Sequence, residues 1–344
     1  MRKNSGIARL MCVFTVCIVL ISYNAYSICF KGKKAEAEVL QIPANGVFSF
    51  EDDEENETVI SEETVSSEES GENIPASTDG SVKGKIISRY ISPYNAPLSY
   101  DGVYMKNSTD LAVNIKELLE SPLTFNIKKE DSPQVLIVHT HTTETFMTED
   151  ADYYTEAFSS RTRESDKNMV SVGKIVAERL NNAGIKTLHD TTEHDYPNYT
   201  GSYSRAAKTI TDYLKKYPTI KVVLDLHRDA VSSGESDKVK LVTEIEGKKA
   251  AQVMLVMGSQ SGSVTNFPNW KENLKLAVRL QQKIEQKYPS LARPLSLMPK
   301  NYNESLTAGS LLIEFGTDAN TLTEAHYSAE LVGNALAELL TGLT

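Results

Sequence analysis

The feature that narrows this chain's fold most is a set of short stretches that are apolar without interruption. "QVLIV" (134–138), "KVVL" (221–224) and "SLLI" (310–313) lack the polar/apolar alternation of a strand with one wet face. Strands of this kind need cover on both faces, as in parallel sheets flanked by helices. The segments between them supply that cover. "NMVSVGKIVAERLNNAG" has helical apolar spacing and stops at Gly184. "YSRAAKTITDYLKKYP" is a second helix, ended by Pro218, and "NWKENLKLAVRLQQKIEQKYP" is a third, longer one. "IKTLHD" reads as a further strand, and "KVKLVTEIEGKKAAQVMLVMG" as a hairpin turning at Glu246-Gly247. The chain closes with a helix from about Thr323 to Leu340. Residues 133–344 are therefore expected to form an α/β domain with a mainly parallel sheet, which binds ligands at the carboxyl ends of its strands.

Those strand ends carry the chain's most unusual side chains. His139 and His141 follow "VLIV", His227 follows "VVLDL", and Glu314 follows "LLI", in a chain with only 6 histidines. Imidazole and carboxylate are costly to bury unless paired or bound to metal. One such residue alone would read as a hydrogen-bonded core histidine or a cap. Three strand ends on one edge of a parallel sheet would instead gather them. Two histidines and a carboxylate with an open fourth position form a catalytic zinc pattern, and a remaining carboxylate can act as general base. His189 and His194 lie in the polar stretch "LHDTTEHDYPNY" and read as surface or substrate-facing, while His326 on the last helix is given no role. There is no Walker loop, no GxGxxG, no GxSxG and no internal repeat.

The first third of the chain is built differently. "LMCVFTVCIVLISYNAYSICF", Leu10 to Phe30, carries no charge and follows the basic "MRKNSGIAR". About 20 apolar residues span a bilayer, with the basic side in the cytoplasm. Residues 1–30 are read as a cytoplasmic N-terminus and single transmembrane anchor. The rival is a signal peptide with its apolar stretch at Leu10–Ile21 and a cleavage site at "NAYS". Lipidation of Cys29 is disfavoured by the bulky Ile28 before it. Either way the remainder is exported. All 3 cysteines fall in this stretch, so the exported part has neither disulfide nor thiolate metal site. Residues 31–85 read as a disordered acidic linker, with 11 acidic residues and no Lys or Arg between Glu51 and Glu72. Removing that block from the net charge of -10 leaves the rest nearly neutral, without the basic signature of a nucleic-acid binder. Residues 86–132 form a lead-in that packs on the catalytic domain. In it "SYDGVYMKNST" alternates like a strand, and "DLAVNIKELLESP" is a helix with an Asp cap.

Five separated motifs, "HTHTTE", "RESDKN", "HDTTEHDYPNYTGSYSRA", "DLHRDA" and "IEFGTDANT", resemble in order the stage II sporulation protein P family of endospore formers, over roughly Tyr100 to the end. They are also similar to the wider zinc amidases. The resemblance implies cleavage of peptidoglycan, both as N-acetylmuramoyl-L-alanine amidase and as endopeptidase, in forespore engulfment. It implies stage II sporulation proteins D and M as partners, and a cell-membrane location facing the space between mother cell and forespore. Carried over by motif, His141 and His227 are the metal histidines, Glu164 in "ESDKN" is the metal carboxylate, and Glu314 is the catalytic Glu, with Gly316 and Asn320 in place. Two departures stand out. Arg228-Asp229 occupies the place of the amidases' Ala-Asn, and Thr323 stands where a further Glu is expected, with Glu324 one residue later.

Glu144 competes with Glu164 for the metal, since His141 and Glu144 form H-x-x-E, a spacing used by zinc carboxypeptidases; Glu156 is a third option. Zn²⁺ is thus expected on His141, His227 and one of these carboxylates, with Glu314 as general base, Arg228 beside the oxyanion, and His139 supporting the ligands or facing substrate. The rival functions are a zinc carboxypeptidase acting on stem peptides and a catalytically inactive wall-binding module.

Overall fold

The computed structural model describes residues 80–344. The expected anchor, the three cysteines and nearly all of the acidic linker lie outside the described residues. Among the described residues no helix is long and apolar enough to cross a membrane.

In chain order the strands are β1 (Val82–Arg89), β2 (Leu98–Tyr100), β3 (Val103–Asn107), β4 (Val135–Val138), β5 (Tyr153–Thr155), β6 (Thr187–His189), β7 (Val222–Asp229), β8 (Ser232–Ser233), β9 (Asp237–Ile245), β10 (Lys248–Ala251), β11 (Val253–Gly258), β12 (Leu295–Met298) and β13 (Ser310–Thr317). The helices are α1 (Ile115–Glu120), α2 (Met169–Asn182), α3 (Ser202–Lys216), α4 (Trp270–Lys287) and α5 (Leu322–Thr341). Eight strands form one sheet in the order β2-β3-β12-β11-β13-β7-β4-β6. Only β2/β3 and β11/β13 pair antiparallel; the other neighbours are parallel, as the apolar runs require.

The two faces of this sheet are covered unequally. Val135, Ile137, Leu224 and Ile313 point to one face, where Val176 and Leu180 of α2, Leu276 and Leu280 of α4 and Leu331 and Leu336 of α5 pack against them. Losing one such fully buried side chain to Ala would cost about 2–5 kcal/mol. On the other face Leu136, Val138 and Val223 meet Ile210 of α3, together with Ile220 and the partly buried Leu306. Beyond Val223 the same face of β7 continues as Asp225, His227 and Asp229, where apolar residues give way to ionisable ones.

Local chemistry sets the element ends. Asn168 caps α2 by accepting from the Val170 amide, and Gly184 follows that helix at φ +82. Thr321 and Glu324 form a capping box at α5. Glu324, the displaced glutamate of the sequence, also accepts from Asn320 Nδ2 and lies 3.5 Å from Lys240. The Glu246-Gly247 turn has φ +51 and +76, as a two-residue hairpin of twisted strands demands.

Three expectations change. "SYDGVYMKNST" is a hairpin, β2 and β3, because Asp101-Gly102 turns the chain with both φ positive, 48 and 78. The cap of α1 is Asn114, which accepts from the Glu117 amide; Asp110 instead accepts from Ser261. The lead-in is also integral to the fold. β3 extends the large sheet on β12, and β1, which begins inside the stretch read as linker, pairs with β9 and β5 in a second sheet.

Candidate active site

β4, β7 and β13 are neighbours running in the same direction, so their carboxyl ends adjoin. Glu314 is in register with His227, and Val138 with Asp225. His227 and Glu314 lie within their strands, which run on to Asp229 and Thr317. Past Glu314 the register shifts, at Gly316 with φ +68. A side chain there would approach Asn320 Oδ1 to 2.6 Å, so glycine is required.

The segment after β4 is anchored by Asp225, whose two oxygens accept from the Thr140 amide (2.8 Å) and hydroxyl (2.6 Å). This presents His141 edge-on to His227, the ring centres 5.3 Å apart at 84°. His227 Nδ1 lies 3.8 Å from Glu144 Oε2, and Nε2 lies 2.9 Å from Asp225 Oδ1, though out of line for a hydrogen bond. Glu144 is fixed by the Arg228 amide at 3.1 Å. Three atoms of this group, His141 Nδ1, His227 Nε2 and Glu314 Oε2, are buried without a hydrogen-bond partner. Native proteins rarely leave such atoms unsatisfied.

The charges explain why. Burial opposes a charge on His227, but Asp225 and then Glu144 and Glu314 outweigh it, raising its pKa to about 9. Burial pushes Asp225 up, yet His227 and the Thr140 bonds hold it at about 2. Burial, together with the His227 charge, keeps His141 well below the usual histidine range. Glu314 is raised to about 8 by burial, against the pull of His227. Near neutrality the group therefore retains protons on His227 and Glu314. Three carboxylates around two imidazoles demand positive charge, the demand a divalent cation meets. Among the described residues no three acidic, imidazole or thiol groups are already gathered as a metal-binding set. The donors present are nevertheless those zinc takes, and their orphaned atoms fit it.

Of the residues singled out in the sequence, His141, His227, Glu144 and Glu314 come together. Glu164 does not join them. Its side chain is 60% exposed and pairs with Lys167, because the turn before α2 points it to solvent. Glu156 likewise pairs at the surface with Lys83. Arg228 is buried at the site, but its guanidinium binds the carbonyls of Ser160 (2.9 Å) and Thr145 (3.3 Å), holding the loop that carries Glu144. His139 faces away from substrate: Nδ1 meets the Leu226 carbonyl (3.0 Å) and Nε2 meets His189 Nε2 (2.8 Å). His189 therefore pairs inside the fold. His194 is buried, between the His139 carbonyl and Thr209, and His189 is half-buried.

The site also contains residues that lie inside the quoted motifs but are given no role there. Asp225 was legible as a carboxylate inside an apolar strand, two residues before His227 and so on the same face. Tyr199 stacks on His141 (4.6 Å, 11°) with its hydroxyl 3.2 Å from Nε2, and Arg161 lies over Tyr199 at 4.3 Å. Tyr203 meets the His141 ring edge-on at 5.6 Å.

A family profile described as Stage II sporulation protein P (SpoIIP) matches residues 23–337. Stage II sporulation protein P of Bacillus subtilis (strain 168) is 28% identical over 220 residues, 61% of this chain and 51% of that protein, so the match spans about half the relative's length. Among solved structures, the N-acetylmuramoyl-L-alanine amidase AmiC2 of Nostoc punctiforme is similar at a TM-score of 0.37 and 10% identity, covering 63% of this chain and 99% of that one. The CwlD amidase from Clostridioides difficile, solved in complex with the GerS lipoprotein, gives 0.37 and 9%, covering 61% and 100%. At TM-scores this low neither likeness bears on function.

Proposed function

The chain belongs to the stage II sporulation protein P family, and from that premise we propose that it is a sporulation peptidoglycan hydrolase that cleaves amide bonds at the His141–Glu144–His227–Glu314 cluster with Zn²⁺ as cofactor. One observation carries this reading: His141, His227, Glu144 and Glu314 adjoin at neighbouring parallel strands, and His141 Nδ1 and Glu314 Oε2 are buried there without a hydrogen-bond partner. A wall-binding module has no use for such a group.

His141, His227 and Glu144 would hold the zinc. When bound, it would polarise the scissile carbonyl and lower the pKa of the attacking water. Asp225 steadies the Nε2 side of the His227 ring and leaves Nδ1 toward Glu144. The Arg228 amide keeps the Glu144 carboxylate in place. Glu314 takes the proton of the attacking water and returns it to the leaving amine. Burial raises its pKa above the usual carboxylate range, and a bound cation nearby would draw it back to the ionised form that accepts a proton.

The same reading covers both amidase and endopeptidase cleavage, in forespore engulfment, from a membrane-anchored position and with stage II sporulation proteins D and M as partners. A stem-peptide carboxypeptidase is the second reading, because His141 and Glu144 of the H-x-x-E spacing do converge on His227. Mass spectrometry of digested sacculi separates the two. Amidase action frees stem peptides with an L-Ala amino terminus, and endopeptidase action opens cross-links. Loss of terminal residues alone would favour the carboxypeptidase, and sacculi bound but unaltered would defeat both readings.

A further inference from the structure

We propose that Tyr203 is a catalytic residue whose hydroxyl donates a hydrogen bond to the scissile carbonyl oxygen as it becomes an oxyanion. The inference rests on the hydrolase reading above and assigns to Tyr203 a role expected of Arg228. An amide carbonyl under attack needs a donor aimed where the negative charge develops. Arg228 is poorly placed for that role, since its guanidinium holds the Thr145 and Ser160 carbonyls. The Tyr199 hydroxyl is engaged with His141.

Tyr203 is held from several sides. It is the second residue of α3, next to the buried Ser202, whose hydroxyl binds the Tyr199 carbonyl. The Tyr203 carbonyl accepts from Asn303 Nδ2 at 2.8 Å. The ring lies edge-on to His141 at 5.6 Å, with Tyr302 at 6.2 Å on another side. Its hydroxyl makes no hydrogen bond to any described residue. The ring thus stands beside the proposed ligand His141. A tyrosine hydroxyl is protonated near neutral pH and donates without adding negative charge.

In the reaction the water oxygen bonds to the carbonyl carbon, the C=O π pair moves onto oxygen, and Glu314 takes the water proton. Tyr203 keeps its own proton and holds the oxyanion through O–H···O⁻. On collapse the pair re-forms C=O, the C–N bond breaks, and the amine nitrogen receives the proton from Glu314.

The test is Tyr203→Phe in the full chain, which keeps the ring against His141 and removes only the donor. On purified sacculi kcat should fall about 10²- to 10³-fold, the loss seen when one oxyanion donor is removed. KM, zinc content and sacculus pull-down should stay at wild-type values. A wild-type kcat would overturn the assignment. So would zinc lost in step with activity, which would make Tyr203 a support for His141. If the wild type itself cut no amide bond, the hydrolase reading would fall and this inference with it.

Discussion

His139 and His141 are two residues apart, yet they belong to opposite environments. His141 is paired with His227 among Asp225, Glu144 and Glu314, and there His227 is raised to about 9. His139 is paired with His189, where burial first and then the neighbouring imidazole lower it to about 3 and burial lowers His189 to about 4. The front pair and His139 are buried and His189 is half-buried; what differs most is the carboxylates, three of which act on His227. The rear pair also fixes its own tautomers. His139 Nδ1 must donate to the Leu226 carbonyl, so its Nε2 accepts and His189 Nε2 donates. Gly173 makes room for it, since a Cβ there would come within 2.6 Å of both Nε2 atoms. One pair is satisfied, while the other keeps His141 Nδ1 buried without a hydrogen bond.

Changing the front pair should have the largest effect. His227→Ala should lose both zinc and hydrolysis while remaining folded, as read by metal analysis and circular dichroism; stoichiometric zinc in a His141→Ala, His227→Ala double variant would remove the metal site altogether. Glu314→Gln should come next: zinc and sacculus binding retained, with turnover reduced about 10²-fold or more. Near-normal turnover there would move the base elsewhere, with Glu144 the first suspect. Third, Glu144→Gln should lower zinc content steeply. Glu164→Gln should leave zinc unchanged and alter stability by no more than about 0.5 kcal/mol, as exposed positions do. The reverse result would restore Glu164 as the ligand. The smallest effect belongs to the rear pair. Between about pH 6.5 and 4 the unfolded chain binds protons that His139 and His189 refuse when folded, so stability should fall as pH falls through that window. His189→Gln keeps a donor for His139 and removes one titrating group. Its thermal midpoint should slope less with pH, with neutral-pH turnover unchanged; an identical slope would show that the acid sensitivity arises elsewhere.

The sequence revealed what periodicity and burial control. Val135–Val138 and Leu311–Ile313 could only be strands covered on both faces, and parallel neighbours then had to bring His141, His227 and Glu314 to one edge. The choice between Glu144 and Glu164 was hidden because a motif spacing does not say which way a turn points a side chain. His189 and His194 read as surface or substrate-facing because their sequence neighbours are polar, although His189 pairs with His139 beside Gly173 and His194 meets the His139 carbonyl and Thr209. Tyr203 lies inside the motif "HDTTEHDYPNYTGSYSRA", but nothing in that pattern gives it a role. It reaches the site through the way α3 is set on the sheet. The β1/β9 pairing joins strands about 150 residues apart, which no local pattern records.

The hairpin of β2 and β3 matters for where this chain can be cut. β3 pairs with β12 from Leu295↔Met105 to Leu297↔Asn107, and β2, only three residues long, ends the sheet on that side. Short outer strands discourage one molecule from adding to the next. A fragment starting at Pro133 would uncover the main-chain N–H and C=O groups of β12 and offer them to another copy. Such a piece would tend to aggregate even with every proposed catalytic residue present. The transferable unit, for evolution as for an engineer, therefore begins before Val82, far upstream of its first histidine.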